Sequence, residues 1–142
     1  MLEFSIREDL RYRLQRSANH YVCLVAIQHF ATADSVEPKI VGTVEMSARS
    51  LPAWWPSDRL TYLSNLAVDR RSRRLGVARK LLAACEHISL DWGVSTLSLH
   101  VMADNTPARQ LYHQAGFSLQ RQGGIGGLFQ SSSRLLLHKD LV

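Results

Sequence analysis

The feature that most constrains the fold is a strand, a short basic loop and an amphipathic helix that follow one another directly. The apolar run at residues 62–68 predicts a strand, and residues 75, 78, 81, 82, 85 and 88 are apolar with helical spacing. Unpaired backbone N–H groups and the positive end of the helix dipole attract anions at such a helix start. Gly76 and Ala78 let a ligand approach the backbone closely. This segment predicts a phosphate-binding loop, with a solvated basic loop as the alternative.

Positive charge is concentrated at this loop. The 142 residues include 17 Lys and Arg against 12 Asp and Glu, for a net charge of +5. Basic side chains in the loop are Arg70, Arg71, Arg73, Arg74, Arg79 and Lys80. A nucleic-acid interface requires a broad basic face, and a charge excess confined to one loop suits a polyanionic small molecule better.

Composition and length exclude several other classes of protein. A chain of this length buries a sufficient core as one domain without a disulfide or a metal. No window approaches the ~18 apolar residues of a membrane helix, and the N-terminal residues lack a signal-peptide pattern. The six histidines are not spaced as metal ligands, so we expect no metal. Cys23 and Cys85 lie in apolar patterns and are predicted to be buried free thiols.

A second motif lies one predicted strand after the helix. Residues 105–117 have the form N-x-x-A-x-x-x-Y-x-x-x-G-F, and residues 73–78 have the form R-x-x-G-x-A. In this order the two motifs resemble the GCN5-related N-acetyltransferase family, over roughly residues 39–139. The Y-L-S-N-L-A-V form of the central strand, with W-G and L-H-V after the helix, is most similar to the plastid and cyanobacterial branch.

The resemblance implies an α/β fold in one N-acetyltransferase domain over residues 1–142. The sheet would be mixed and mostly antiparallel, flanked by helices and splayed open between the central strand and its parallel neighbour. Family members usually begin with a strand and a further helix, and we expect these elements to be missing here.

The resemblance also implies acetyl-coenzyme A as cofactor. Its pantetheine arm would pair with the backbone of Leu66, Ala67 and Val68, and a backbone N–H of this segment would stabilise the oxyanion. Its pyrophosphate would be bound by Arg73, Arg74, Leu75, Gly76, Val77, Ala78 and Arg79. Asn105 and Ala108 of the second motif would contact the cofactor, although Asn105 could equally be only a helix cap.

The family reaction is a direct attack of an amine on the thioester in a ternary complex. Tyr112, from the second motif, corresponds to the usual proton donor to sulfur, with a purely structural tyrosine as the alternative. Many members carry a glutamate as base where this chain has Ser64. The proton would pass to Glu45 or to a water chain through Ser64, or the amine would arrive neutral; a solvent-facing Glu45 is the alternative.

The remaining pattern predicts the following elements. Residues 3–19 form an amphipathic helix, residues 21–29 and 39–49 a hairpin joined by a polar connection at 30–38, and residues 60–68 the central strand. On the second hairpin strand, Ile40, Val44, Met46 and Ala48 share one face, and Val41, Thr43, Glu45 and Ser47 the other. A helix ends near Trp92, residues 96–102 form a parallel strand, and a helix follows at 106–115. Residues 117–121 and 132–138 form closing strands around a glycine-rich loop at 123–127.

These observations support an N-acetyltransferase that acetylates a primary amine, either a small amine or a lysine or N-terminal amine of a protein. A catalytically idle acyl-coenzyme A sensor is the alternative, favoured by Ser64, and a nucleic-acid-binding domain is the least supported. Trp54 and Trp55 either grip a substrate or cover the edge of the core. We expect a cytoplasmic protein, or one of the plastid stroma if the chain comes from a plant, that can form a homodimer.

Overall fold

The computed structural model describes residues 2–7, 20–55, 57–120 and 134–142, the first of these ranges as backbone only. The strands are β1 Leu2–Arg7, β2 Tyr21–Ala31, β3 Val36–Ser50, β4 Arg59–Val68, β5 Thr96–Met102, β6 Ser118–Leu119 and β7 Arg134–Asp140. The helices are α1 Val77–Asp91 and α2 Thr106–Gln114, and a short 3-10 helix covers Arg70–Ser72.

The strands form one mixed sheet in the order β1-β2-β3-β4-β5-β7-β6. Of its described pairings, only β4 with β5 is parallel, because α1 carries the chain back across the sheet between them. That parallel ladder joins Thr61–Leu63 to Leu97–Leu99 and goes no further. The predicted mixed sheet, splayed between the central strand and its parallel neighbour, is confirmed.

Both helices pack on the same face of the sheet, here called the helix face. Arg79 of α1 donates a hydrogen bond to Gln114 at the end of α2, and Tyr112 of α2 shares the core with Leu81 of α1. At Gly42, a Cβ atom would lie 2.8 Å from Cγ1 of Val77. The lack of a side chain at Gly42 therefore lets the start of α1 sit directly against β3. We call the opposite side of the sheet the distal face.

The prediction of a helix over residues 3–19 is wrong at its start. Leu2–Arg7 is a strand that pairs antiparallel with β2, from Leu2 opposite Gln28 to Arg7 opposite Cys23. Leu2, Phe4 and Ile6 alternate with Glu3, Ser5 and Arg7, and this period of two is the strand signal that the helical interpretation missed. The sheet thus has a strand before the hairpin, contrary to the expectation of a missing first strand. Residues 8–19 lie outside the described residues.

The predicted hairpin is confirmed, but its connection is shorter than predicted and one face assignment is wrong. The strands run to Ala31 and from Val36, leaving a four-residue turn in which Thr32 and Ser35 exchange hydrogen bonds. The register shifts between Ala26 and Ile27, so that Val41 is an extra residue on β3. This bulge turns Val41 into the core and leaves Ile40 57% exposed, the reverse of the predicted alternation.

The central strand, both helices and the parallel strand lie where the pattern placed them. Gly93 and Gly116 follow the two helices with positive φ values of 72° and 92°, which explains why the helices end there. Both closing strands are confirmed with other bounds. β6 covers only Ser118–Leu119 of the predicted 117–121, and β7 runs beyond the predicted end at 138 to Asp140. Residues 121 and 132–133 and the glycine-rich loop at 123–127 lie outside the described residues. Neither Cys23 nor Cys85 is in a disulfide. Cys85 is buried, which raises the pKa of its thiol to about 12, whereas Cys23 is only half-buried.

Candidate functional site

A β-bulge in β4 creates the opening in the sheet. Glu45 pairs with Ser64 and Thr43 with Ala67, so that Val44 alone lies opposite two residues of β4. One of these two residues, Asn65, has a positive φ of 52°, an unusual conformation outside glycine that asparagine tolerates better than most residues. Beyond Leu63 the backbone of β4 has no described register with β5. Residues 66–68 therefore keep β3 as a neighbour on one side, and none of the described strands pairs with them on the other.

A cleft of about 170 Å³ lies where the two strands separate. Its lining residues are Val44, Leu63, Ser64, Asn65, Leu66, Leu82, Leu99, His100 and Tyr112. Leu63 and Leu99 belong to the helix face, and Ser64 and His100 follow them on the distal face. Because residues of both faces line it, the cleft gives access to one point of β4 from the two sides of the sheet.

The predicted phosphate loop lies at the start of α1. Arg74 and Gly76 both have positive φ, 61° and 82°, and the helix begins at Val77 without a side-chain cap. The first hydrogen bond of the helix runs from Lys80 N–H to the Gly76 carbonyl at 3.1 Å. The N–H groups of the first turn before it are the unpaired donors that a helix start offers to an anion.

The side chains of the loop are directed by their own contacts. Arg73 Nε donates to the Val68 carbonyl at 3.1 Å, which fastens the loop to the end of β4. Arg79 donates to Gln114 at 2.7 Å and so points toward α2. Arg74 and Leu75 are exposed, Ala78 is half-buried and Val77 is buried. Among the predicted phosphate ligands, the backbone of residues 76–79 and the Arg74 side chain are thus the best placed to meet a phosphate.

An ion pair holds the connection between β4 and the loop. The Asp69 carboxylate lies 3.2 Å from Lys39 Nζ and accepts a hydrogen bond from the backbone N–H of Arg71. The hydrogen bond with Lys39 lowers the pKa of Asp69, with a smaller contribution from the Arg71 backbone. Lys39 and Asp69 thereby tie β3 to the start of the 3-10 helix.

Tyr112 lies on the inward side of α2 and lines the cleft. Its ring packs edge-on against Phe117 with 5.8 Å between the ring centroids, and only 9% of the residue is exposed. Burial raises the pKa of the Tyr112 hydroxyl, which therefore keeps its proton at neutral and moderately alkaline pH. A tyrosine that keeps its proton thus belongs to the wall of the cleft, as a proton donor requires.

Asn105 caps α2. Its side-chain oxygen accepts from the Ala108 backbone N–H at 3.2 Å, which is the cap that the sequence left as one of two possibilities. Neither Asn105 nor Ala108 is among the residues that line the cleft. A role of these two residues toward the cofactor stays a prediction.

Glu45 lies beside the cleft rather than in its wall. It is the cross-strand neighbour of Ser64, and its carboxylate accepts a hydrogen bond from Asn65 Nδ2 at 3.1 Å. The bulge residue thus holds the carboxylate, which is consistent with a structural role at the bulge. Glu45 does not line the cleft, and its role as base also stays a prediction.

The structure adds a pair of titratable side chains that the sequence analysis did not identify. Tyr62 and His100 lie on adjacent strands of the distal face, and the Tyr62 hydroxyl is 2.6 Å from His100 Nδ1. Partial burial lowers the pKa of His100 below its ordinary value of 6.5, and the positive charges of Arg134 and Arg49 lower it further. His100 is therefore neutral at pH 7 and can accept a proton.

A sequence signal for this pair did exist. Tyr62 is two residues before Ser64 on the predicted central strand, and His100 alternates with Leu97, Leu99 and Val101 on the predicted parallel strand. Both side chains were thus predictable as members of the less apolar face. The pairing could not be predicted, because it depends on the register between two strands that are far apart in the chain.

Trp54 and Trp55 are not part of the cleft. Trp54 is 77% exposed and contacts the half-buried Trp55 edge-on, on the loop between β3 and β4. Neither lines the cleft.

Within the described ranges, His, Cys, Asp and Glu side chains nowhere gather in a group of three that could hold a metal ion. Neither described helix is long and apolar enough to cross a membrane.

Comparison with known proteins decides the family. Residues 3–117 match the model of the acetyltransferase (GNAT) family. The chain belongs to this family. It is 36% identical over 115 residues to GCN5-related N-acetyltransferase 10, chloroplastic, of Arabidopsis thaliana, a match that covers 78% of this chain and 45% of that protein. The chain spans less than half the length of the first curated GNAT relatives that it matches.

Solved structures share the GNAT fold with this chain. Arabidopsis thaliana NAA60 in complex with a bisubstrate analogue aligns with a TM-score of 0.65 and 22% identity, over 84% of this chain and 76% of that one. The PaiA N-acetyltransferase of Thermoplasma acidophilum in complex with coenzyme A aligns with a TM-score of 0.58 and 21% identity, over 84% and 60%. At these identities the likeness establishes the fold. The resemblance found in the sequence is confirmed at the level of the family.

Proposed function

We propose that this GNAT protein is a single-domain N-acetyltransferase that moves the acetyl group of acetyl-coenzyme A to a primary amine. The observation that carries the proposal is the position of the cleft. It opens where the bulge at Asn65 frees one side of β4, and the loop after β4 ends in the uncapped start of α1. The pantetheine arm of the cofactor could therefore pair with the open side of β4, while its pyrophosphate reaches the start of α1 directly after that strand.

The path from β4 to the start of α1 indicates which residues would bind the cofactor. The free side of Leu66, Ala67 and Val68 would pair with the amide groups of the pantetheine arm, and one N–H of this stretch would stabilise the oxyanion. Gly76 and the backbone N–H groups after it would bind the pyrophosphate, assisted by the exposed Arg74. The relative that was solved with coenzyme A supports this choice of cofactor.

The reaction requires one proton acceptor and one proton donor. The amine nitrogen attacks the thioester carbonyl carbon, the new N–C bond forms, and the C–S bond breaks with its electron pair going to sulfur. Tyr112 would give its proton to the departing thiolate, since it lines the cleft and stays protonated. The proton lost by the amine must go to a base on the side from which the amine arrives.

We assign that base to His100, oriented by Tyr62. His100 lines the cleft, is neutral at pH 7, and has one ring nitrogen fixed by the Tyr62 hydroxyl at 2.6 Å. In the neutral tautomer whose Nδ1–H donates to the Tyr62 oxygen, Nε2 carries no hydrogen and can accept the proton. Glu45 is the competing base, and the proton would reach it through its cross-strand neighbour Ser64 and water. Its carboxylate already accepts a hydrogen bond from Asn65. The pH profiles of single variants distinguish the two.

The alternative function is a catalytically idle acyl-coenzyme A sensor. Ser64 favours it, because a serine stands where many members of the family carry a carboxylate base. A sensor would bind the cofactor without turnover on any amine. An enzyme would release coenzyme A only when an amine is present.

The experiment is a thiol-release assay with acetyl-coenzyme A and a panel of small amines, lysine peptides and peptides with a free N-terminus. We expect amine-dependent release of coenzyme A together with a mass increase of one acetyl group on the acceptor. Saturable cofactor binding without release for any amine would establish the sensor instead. The predicted homodimer and the predicted location, cytoplasm or plastid stroma, stay predictions.

A further inference from the structure

The distal face next to the cleft carries two arginines that flank the Tyr62–His100 pair. Arg49 lies opposite Leu60 on β4, and its guanidinium carbon is 3.9 Å from the centroid of the Tyr62 ring. Arg134 is two residues before Leu136, the cross-strand neighbour of His100, and therefore projects from the same face. One cation thus comes from β3 and the other from β7, with the pair between them.

Neither arginine has a carboxylate partner within the described part of the chain. The ion pairs found there join Lys39 to Asp69 and Lys139 to Glu86. The carboxylates placed on the distal face have other partners, Glu45 with Asn65 and Asp140 with Thr96. Among the described residues, therefore, no carboxylate neutralises either guanidinium group, and both arginines are exposed.

The two arginines are close enough to act on the site itself. Their positive charges contribute to the lowered pKa of His100, after partial burial. The same field would disfavour an ammonium group beside His100 and would favour the neutral amine that the reaction consumes. It would also attract an anionic group of the acceptor, and a guanidinium fork matches a carboxylate in shape.

We propose that the acceptor of this protein carries a carboxylate near its reactive amine, and that Arg49 and Arg134 bind this carboxylate. This inference rests on the proposed acetyl transfer. The carboxylate can belong to a free amino acid or to an acidic residue next to a peptide N-terminus, and both sources share the same chemistry. Polyamines and lysine-rich segments are disfavoured acceptors on this account.

The test compares acceptors that differ only in charge. Three short peptides identical except for a Glu, Gln or Lys at the second position form one arm, and an α-amino acid with its uncharged amide forms the other. We expect kcat/KM to fall in the order Glu, Gln, Lys, with roughly tenfold between Glu and Gln, as for a charge-assisted hydrogen bond at an exposed site. Preference in only one arm identifies the source of the carboxylate.

Variants locate the effect. Arg49→Gln and Arg134→Gln are expected to raise KM for the Glu peptide and to remove most of its advantage over the Gln peptide. Arg109→Gln is the matched control, because this exposed arginine lies on α2 on the other side of the sheet and loses the same charge. Damage to the positions of Tyr62 and His100 would instead lower kcat for all peptides equally.

Two results would overturn the inference. One is equal kcat/KM for the three peptides or a preference for Lys; the other is a charge preference that Arg49→Gln and Arg134→Gln leave unchanged. A further outcome is that acetyl-coenzyme A binds while none of these acceptors is acetylated. In that case the test is the affinity of the N-acetylated peptides for the protein loaded with coenzyme A. Equal affinity for the Glu and Lys products would then contradict the proposal. Failure of the proposed function has a different signature, which is either no cofactor binding or cofactor binding without release of coenzyme A for any amine of the wider panel.

Discussion

The two halves of β4 differ in the number of strands that pair with them. In the first half, Thr61 and Leu63 pair with strands on both sides and are buried. In the second half, beyond the bulge at Asn65, the strand keeps β3 and loses β5. The first half, residues 59–63, contributes to the core and is here called the closed half. The second half, residues 64–68, has backbone groups that a ligand can use and is here called the open half. A single bulge thus separates the structural part of the strand from its functional part.

The largest expected effect is on the open half and its loop. Gly76→Val should abolish detectable acetyl-coenzyme A binding in calorimetry, since a β-branched residue is strained at the φ of 82° and its side chain would occupy the proposed phosphate site. Gly93→Val is the matched control, because Gly93 also has a positive φ, 72°, and also has open space around its Cα. The two variants should lose similar stability, and only the first should lose the cofactor. Normal binding by Gly76→Val would show that the loop is wrongly assigned.

Next in size is the effect of the proton donor. Tyr112→Phe should lower turnover by about one to three orders of magnitude and leave cofactor affinity nearly unchanged, because the substitution removes the hydroxyl group and keeps the ring. The measurement is steady-state kcat together with calorimetry on the same protein. Equal turnover in the two proteins would remove Tyr112 from the mechanism.

The base gives a pH-dependent prediction. A neutral base acts above its pKa, and the pKa of His100 is lowered, so the acidic limb that this base contributes to the pH profile should lie below the ordinary value of 6.5. Titration of the acceptor amine is a separate contribution that all variants share. His100→Gln should lower kcat/KM by roughly tenfold to hundredfold and remove this acidic limb, while Glu45→Gln should leave the limb in place. The reverse assignment of the limb, lost in Glu45→Gln and kept in His100→Gln, would transfer the role to Glu45.

The smallest effect is expected in the closed half, and it is on stability alone. The buried Ser89 hydroxyl donates to the Val94 carbonyl at 2.7 Å and therefore accepts from the Thr61 hydroxyl, also at 2.7 Å. Thr61→Val removes this donor and should lower the free energy of unfolding by about 1 kcal/mol without changing cofactor affinity. Denaturant unfolding and calorimetry measure the two quantities. A loss of affinity as large as the loss of stability would mean that the two halves of β4 are not independent.

Much of the fold could be predicted from residues that act locally. Glycines 76, 93 and 116 mark helix boundaries, Asn105 caps α2, and the alternation of Leu97, Leu99 and Val101 defines β5. Wrong predictions occurred where the strand period was interrupted or overlooked. The bulge at Val41 exchanges the faces predicted for Ile40 and Val41. Leu2, Phe4 and Ile6 alternate as in a strand, although the predicted helix includes residues 3–7.

The site was predictable where it depends on backbone and motif, and not where it depends on register. The loop at residues 73–79 and Tyr112 came from two motifs in order. The pairing of Tyr62 with His100 and the flanking positions of Arg49 and Arg134 require contacts across four strands. Such contacts exist only after the sheet has formed, and no local pattern in the chain specifies them.

The most direct measurement is a titration of the isotope-labelled protein with acetyl-coenzyme A, followed by the backbone amide signals of β4 and the loop after it. We expect saturable shifts concentrated at residues 64–68 and 74–79, with the signals of residues 61–63 nearly unmoved. Absence of saturable shifts, or shifts centred on the closed half of β4, would contradict the claim that the bulge opens this strand for the cofactor.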